Sequence, residues 1–343
     1  MKNLRVVVLM HETLVPPDSI EGLSDEEIQE WKMEYDVVAT LRNLGHEVMP
    51  LGILDDLGVL RRAISEFKPD IAFNLLEEFN GVGVYDQHIV SYLELMKQPY
   101  TGCNPRGLLL AHDKPLAKKI LAFHRIRTPG FFVAPIGKKI TKSKGIAFPM
   151  IVKSVSEEAS LGITESSVVY NDESLQDRVR YIHEELRTDA LVEEFIDGRE
   201  MYVGICGNRR LTVFPVWELK FTKAPKGMPQ IATAKVKWDY KHQDKLGIVT
   251  EAANDLDAAL ERNIVNTCKR VYRSLSLSGY ARIDLRVTND GRIYVLEANP
   301  NPNLSFGEDF AESAEASGLK YEELLQKILQ LGLTYQAEWR AVE

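Results

Sequence analysis

The pattern of apolar and polar residues alternates between strands and helices over the first hundred residues. An unbroken apolar run from Leu4 to Met10 predicts a buried parallel strand, and helical spacing follows from Asp25 to Leu44. The remaining elements predicted in this block are strands over 47–51 and 70–75 and helices over 57–67 and 86–96. This alternation predicts an open parallel α/β domain over residues 1–104.

Shorter strands dominate the rest of the chain. Residues 105–192 are predicted to form a small α+β lid, with helices over 112–123 and 175–186 and strands over 131–133, 150–153, 167–170 and 190–193. Residues 193–343 form a third block. Its predicted elements are strands over 200–206 and 211–219, a polar loop over 220–247, a helix over 256–275, a hairpin and a final helix over 321–331.

The predicted hairpin carries three oxygen ligands near its far end. Asp284 lies on the first strand, Glu297 and Asn299 lie on the second, and the turn at 289–291 reads Asn-Asp-Gly. Period-two alternation allows these side chains to point from one face. Magnesium prefers hard oxygen ligands, so the composition fits a magnesium site. A hairpin with solvated carboxylates is the alternative.

Two lysines stand at the ends of predicted elements. Lys153 closes the strand over 150–153 and precedes a polar stretch that ends at Gly162, which is the layout of a flexible flap. Lys114 stands at a helix start. Each is either a solvated charge or a phosphate contact. The stretch from Glu193 to Glu200 also has two interpretations. It could bind a purine and a ribose, or it could be a turn whose side chains have no binding role.

Composition narrows the function classes. The chain has 343 residues with a net charge of −8, and charges of both signs are dispersed along it, which argues against a nucleic-acid partner. Cys103, Cys206 and Cys268 are too far apart to suggest a disulfide framework or a thiolate metal site. Neither a signal peptide nor an apolar run of about 20 residues is present, so we expect a cytoplasmic protein without a membrane partner.

The order of these parts resembles the ATP-grasp fold. Within that superfamily the chain resembles D-alanine:D-alanine ligases over nearly its whole length. The matching motifs are His112-Asp113-Lys114, Pro149 to Lys153, Arg282-Ile283-Asp284 and Leu296 to Asn299. The resemblance implies an N-terminal open α/β domain, a central lid and a C-terminal catalytic domain over 193–343.

The resemblance also implies roles for individual residues. ATP and Mg²⁺ are the implied cofactors, with two metal ions expected and Mn²⁺ as a substitute. The implied nucleotide contacts are Lys114 and Lys153 to phosphates, Ser160 in the flap, Glu193 to adenine, Glu194, Phe195 and Ile196 around the adenine pocket, and Glu200 to ribose. Asp284, Glu297 and Asn299 become the metal ligands.

Two catalytic residues are implied as well. Arg282 is expected to stabilise the negative charge of the tetrahedral intermediate. The alternative is a structural ion pair. The family supplies a further lysine to the γ-phosphate, and here Lys235, Lys237 and Lys241 compete for that role. Lys237 is favoured.

Three stretches depart from the family pattern, and all three correspond to parts that contact the substrate in the family. The flap reads Glu158-Ala159-Ser160 where the family has Gly-Ser-Ser, and residues 74–81 and 300–305 replace glycine-containing stretches. Glu78, Asn301 and Ser305 are therefore the candidate substrate contacts. A polar pocket that loses hydrogen-bonding partners rejects its former substrate strongly, so we expect poor D-alanine dipeptide synthesis.

These features predict an ATP-dependent carboxylate-amine ligase. It is expected to form an amide or peptide bond through an acyl phosphate, with release of ADP and phosphate, and to act on an amino acid or small peptide. The partners are then a small-molecule carboxylate donor and an amine acceptor, and a homodimer is left open. The alternatives are a true D-alanine:D-alanine ligase for cell-wall synthesis, a specialised-metabolite ligase with a non-amino-acid donor, and a non-catalytic nucleotide-binding protein.

Overall fold

The structure is a computed structural model that describes residues 3–140, 145–156, 162–225 and 227–337. The side chains of residues 25, 26, 237, 238 and 240 are outside this description, as are residues 157–161 of the predicted flap. Three sheets organise the chain. Among the described residues, no helix combines the length and apolarity that a membrane span requires.

The first sheet is parallel, as predicted for the N-terminal domain. Its strands are β1 (Arg5–His11), β2 (Glu47–Ile53) and β3 (Ile71–Asn74), in the order β2-β1-β3. The helices of this block are α1 (Asp25–Gln29), α2 (Lys32–Asn43), α3 (Leu57–Phe67) and α4 (Asp86–Leu95).

The single helix predicted over 25–44 is wrong, because the chain forms two helices there. Trp31 has φ −125° and ψ 25°, which is not a helical conformation, and it becomes the N-cap of α2. Its ring packs edge-on against Tyr35, with 5.9 Å between the centroids. Helical periodicity continues across this break, so the pattern of apolar residues did not reveal it.

The second sheet is antiparallel, in the order β4-β7-β5-β6. Its strands are β4 (Phe131–Ala134), β5 (Met150–Ser154), β6 (Val168–Val169) and β7 (Ala190–Glu194), and α7 (Asp172–Tyr181) continues as a π-helix over Ile182–Leu186. The division predicted between residues 192 and 193 falls within β7.

Two helices meet at Asp113 just before this sheet. They are α5 (Pro105–His112) and α6 (Lys114–Phe123), whereas the sequence pattern predicted one helix from His112. Asp113 begins α6, because its carboxylate accepts a hydrogen bond from the backbone N–H of Leu116 at 2.9 Å. An N-cap at Asn104 and a proline at the first turn mark the start of α5.

The third sheet has five antiparallel strands in the order β10-β9-β8-β11-β12. They are β8 (Arg199–Cys206), β9 (Thr212–Phe221), β10 (Ile248–Ala252), β11 (Tyr280–Val287) and β12 (Ile293–Pro300). The helices are α8 (Ala234–Trp238), α9 (Tyr240–Leu246), α10 (Ala258–Ser274), α11 (Asp309–Ala316) and α12 (Tyr321–Thr334). The loop predicted over 220–247 thus contains two short helices, which begin at the capping residues Thr233 and Asp239.

The two faces of β11 have different surroundings. Ile283, Leu285 and Val287 belong to the largest apolar core, together with residues of β8 and α10. Because side chains alternate along a strand, Arg282 and Asp284 point from the opposite face. The core therefore fixes which face of this sheet carries charge.

Candidate active site

The register of the β11–β12 hairpin places four polar residues on one face. Asp284 pairs with Glu297, and Arg282 pairs with Asn299. Directly opposed residues of antiparallel strands share a face, and residues two apart on one strand do as well. A register shift follows between Asp284 and Leu285.

Asp284 is the centre of this group and is only 4% exposed. Its Oδ1 accepts a hydrogen bond from Nε of Arg282 at 2.8 Å, and its Oδ2 accepts from Nη2 of Arg282 at 2.9 Å. Nδ2 of Asn299 also donates to Oδ2, at 3.0 Å. The ion pair foreseen as an alternative role for Arg282 is therefore present, and its role at a tetrahedral intermediate stays a prediction.

Arg282 is held by further contacts. Its guanidinium lies 4.8 Å from the ring centroid of Tyr202, and Nη1 lies 3.9 Å from a carboxylate oxygen of Asp309. Burial alone would lower the pKa of Arg282, but Asp284 and then Asp309 outweigh it and hold the pKa above its ordinary value. The side chain is a fixed cation at the edge of the acidic group.

The donor set of the hairpin fits a magnesium ion. Asp284, Glu297 and Asn299 offer carboxylate and amide oxygens, which are the ligands that magnesium prefers. Across the described part of the chain there is no group of three His, Cys, Asp or Glu side chains that could hold a metal, so the Asn299 amide oxygen has to complete the set.

A second charged group includes residues of the second sheet and centres on Glu193, which is 1% exposed. Nζ of Lys118 lies 2.6 Å from Oε1 of Glu193, and Nζ of Lys153 lies 3.1 Å from Oε2. Lys118 also donates to the backbone oxygen of Leu296 on β12, at 3.0 Å. These contacts connect α6, β5, β7 and β12.

The pKa shifts in this group follow from burial and charge. Burial would raise the pKa of Glu193, but Lys118 and Lys153 outweigh it and lower that pKa. Burial would also lower the pKa of Lys153, but Glu193 and then Glu297 raise it above its ordinary value. Burial prevails at Lys118, so its pKa is lowered. Glu297 acts to raise the pKa of both lysines, and the contact of Lys118 with the neighbouring Leu296 joins the two charged groups.

Lys118 was missed at the level of sequence. It lies one helical turn after Lys114, so helical spacing puts both lysines on one side of α6. Lys114 is half-buried at the start of that helix.

The segment after β7 brings together the residues predicted for adenine and ribose. Glu194 is exposed, Phe195 is half-buried and its N–H donates to the oxygen of Pro149 at 3.0 Å. The oxygen of Ile196 accepts from Nη1 of Arg286 at 2.9 Å, and Nη2 of Arg286 lies 2.7 Å from Oε2 of Glu200. Arg286 was also missed, although strand alternation places it on the face of Asp284.

Each of the predicted substrate contacts has a partner within the protein. Glu78 lies in the N-terminal domain, with Oε1 at 3.3 Å from Nε2 of His11. Oδ1 of Asn301 accepts from the N–H of Cys103 at 2.8 Å, and Ser305 is buried with its N–H donating to Asn303 at 2.7 Å. Ser160 and the side chain of Lys237 lie outside the described residues, and the backbone of Lys237 is part of α8.

The fold resembles that of solved D-alanine–D-alanine ligases. The structure of D-alanine–D-alanine ligase from Bacillus anthracis complexed with ATP has a TM-score of 0.74 to this chain at 22% identity, and the match covers 96% of this chain and 97% of that chain. The D-alanine–D-alanine ligase of Coxiella burnetii has a TM-score of 0.69 at 17% identity, covering 96% and 94% of the two chains. Both show the likeness of the fold.

The sequence shows the family. The model of the family described as "D-ala D-ala ligase C-terminus" matches residues 120–330, and the chain belongs to this family. The uncharacterized protein y4sG of Sinorhizobium fredii is 30% identical, with 86% of this chain and 85% of that protein covered. The D-alanine–D-alanine ligase of Aquifex aeolicus is 29% identical, over 95% and 100% of the two chains. The predicted ATP-grasp fold and family are confirmed.

Proposed function

We propose that the protein is an ATP-dependent carboxylate-amine ligase that forms an amide through an acyl phosphate and releases ADP and phosphate. One observation carries this proposal. Lys118 and Lys153 share the buried Glu193, and Nζ of Lys118 also donates to the backbone oxygen of Leu296, the residue before Glu297 on the hairpin. A cation suited to phosphates thus adjoins an acidic group suited to magnesium.

The proposed reaction has two steps. A carboxylate oxygen of the donor attacks the γ-phosphorus of ATP, and the bond to ADP breaks. The amine nitrogen of the acceptor then attacks the acyl carbon, and phosphate leaves from the tetrahedral intermediate. The substrate itself becomes activated, so positioning and charge stabilisation account for the catalysis.

Residues of this chain supply that stabilisation. Lys153 and Lys114 bind phosphate oxygens, and Arg282 donates hydrogen bonds to the oxygen that becomes negative at the acyl carbon. Asp284, Glu297 and Asn299 would hold magnesium, which would neutralise charge on the phosphates. Two ions, with Mn²⁺ as a substitute, and Lys237 as a γ-phosphate contact belong to the same proposal.

The donor and acceptor are an amino acid or small peptide pair other than two D-alanines. Ala159 lacks the hydroxyl that the resemblance leads one to expect in the flap. Asn301 is engaged by Cys103, and Glu78 lies beside His11, so both side chains already have protein partners. When a polar group of the substrate lacks its hydrogen-bonding partner, the binding free energy of the substrate weakens by about 1–3 kcal/mol.

An ADP-release screen tests the proposal. Purified protein is assayed with ATP and Mg²⁺ against amino acids of both configurations in all pairs, and product masses are then measured. Glu297→Gln protein, assayed in parallel, measures ADP release that does not depend on the site. We expect one pair to release ADP with an amide product, and D-alanine with D-alanine to be poor.

Two results would contradict parts of the proposal. Efficient formation of the D-alanine dipeptide, at the rate of the best pair, would establish the plain D-alanine:D-alanine ligase instead. ADP release that is absent for every pair would favour a non-catalytic nucleotide-binding protein.

A further inference from the structure

Arg286 extends the row of charged residues on β11. It follows Arg282 and Asp284 at alternate positions, and it is 4% exposed. Alternate residues of a strand are ~6.6 Å apart, so the row spans about 13 Å. The row therefore leads from Arg282, which is proposed to act at the reacting carbon, to Arg286. Arg286 lies opposite Glu200 in the pairing of β11 with β8.

The guanidinium of Arg286 contacts the segment after β7, the start of β8 and the loop before α8. Nη2 binds Oε2 of Glu200 at 2.7 Å, and Nη1 donates to the oxygen of Ile196 at 2.9 Å. Nη2 also donates to the oxygen of Gln230, in the loop before α8. Cζ of Arg286 lies 5.1 Å from the ring centroid of Phe195. A guanidinium stays charged and only donates, so its fork can hold several acceptors in one arrangement.

Glu200 is held from both sides. Its Oε1 accepts a hydrogen bond from the hydroxyl of Tyr202 at 3.1 Å, while Oε2 is bound by Arg286. Each carboxylate oxygen has two lone pairs, so both oxygens keep capacity for one further donor. Glu200 is buried, and removal of Arg286 would take away the cation that binds its Oε2, which is costly for a buried carboxylate.

We propose that Arg286 is a positioning residue that orients Glu200 toward the ribose hydroxyls and so makes the site prefer ribonucleotides to 2′-deoxyribonucleotides. The inference rests on the proposed function, in which Glu200 is the ribose contact. A ribose can donate hydrogen bonds to the remaining lone pairs of an oriented carboxylate. A 2′-deoxyribose lacks one donor and leaves a buried acceptor unpaired.

Calorimetric binding of ADP and 2′-deoxyADP in the presence of Mg²⁺ tests this role without requiring turnover. The wild-type protein should bind ADP roughly tenfold more tightly than 2′-deoxyADP, which is the loss expected for one hydrogen bond to a charged group. Arg286→Met should bring the ratio close to one. Arg286→Lys keeps a cation beside Glu200 and should restore most of the ratio.

Arg292→Met is the matched control, because Arg292 is exposed in the hairpin turn and pairs with Asp290 at 2.7 Å. It should keep the wild-type ratio. If Arg286→Met lowers the affinity for both nucleotides equally and leaves the ratio unchanged, Arg286 only stabilises the fold and the inference is wrong. If the methionine variant does not fold, Arg286→Gln decides in its place, and an unchanged ratio there also overturns the inference.

The results separate this inference from the proposed function. A wild-type protein that binds both nucleotides equally would overturn the role of Arg286, while ADP release in the substrate screen would still support the ligase. Binding with the expected ratio but without ADP release would remove the ligase function and leave Arg286 as a positioning residue. Absence of ADP binding would overturn both.

Discussion

Nζ of Lys118 lies 2.6 Å from Oε1 of Glu193, and the two side chains are almost completely buried. Glu193 also contacts Lys153, so one carboxylate is shared by two cations. A buried charge is stable only when partners replace its lost water. Removal of one partner from this group should therefore destabilise the fold.

Lys118→Met should destabilise the protein, because it removes one cation from the buried carboxylate. We expect the free energy of unfolding to fall by about 3 kcal/mol, as for other broken buried pairs. Urea denaturation measures this change. Lys119→Met is the control, since Lys119 is exposed next to Lys118 on α6 and should shift the free energy by less than about 0.5 kcal/mol. Equal effects of the two substitutions would contradict the structural role of the pair.

Glu297→Gln should abolish turnover while the fold is retained. The substitution removes the charge of a proposed magnesium ligand and leaves the side-chain volume almost unchanged. ADP release and the thermal midpoint should be measured on the same preparation, with the exposed Glu315→Gln as control. If Glu297→Gln retained more than about a tenth of the wild-type activity, the assignment of Glu297 as a metal ligand would be wrong.

Lys153→Ala should raise the apparent KM for ATP and lower kcat, because a cation that binds the phosphates stabilises both the ground state and the transition state. It also leaves Glu193 with Lys118 as its remaining lysine partner, so stability should be measured together with activity. The exposed Lys138→Ala is the control. Unchanged nucleotide affinity by calorimetry would show that Lys153 is only a partner of Glu193.

Glu34 should make the protein less stable as the pH rises. Burial in α2 raises the pKa of Glu34 from an ordinary 4.5 to about 7, and the nearby Glu77 adds to the shift. Below pH 4.5 the carboxyl group is protonated in both the folded and the unfolded state. Between pH 4.5 and 7 the unfolded state ionises first, so the free energy of unfolding falls, by about 3 kcal/mol in all.

Urea denaturation between pH 4.5 and 8 checks this dependence. Glu34→Gln should remove the part of the pH dependence that Glu34 contributes, whereas the exposed Glu66→Gln should not. If the Glu34→Gln protein loses stability with pH as steeply as the wild type, the buried carboxylate is not the cause.

Local patterns in the sequence were sufficient to predict the hairpin and its acidic face. Strand alternation and the Asn-Asp-Gly turn place Asp284 and Glu297 on one face, and the register of β11 and β12 agrees with this. The pattern of apolar residues failed to predict the end of one helix and the start of the next. Trp31 continues the helical spacing of its neighbours, so only its non-helical backbone angles, φ −125° and ψ 25°, show the break between α1 and α2.

The burial of Lys118 and the contacts of Arg286 were decided by the tertiary structure. Helical spacing treats Lys114 and Lys118 alike, and only the packing of α6 beside β12 and β7 brings Lys118 to Glu193. Likewise, Arg286 and Glu200 are 86 positions apart in the chain and meet through the pairing of β11 with β8. Periodicity is local and defines a face, whereas partners from distant segments depend on how the sheets and helices pack.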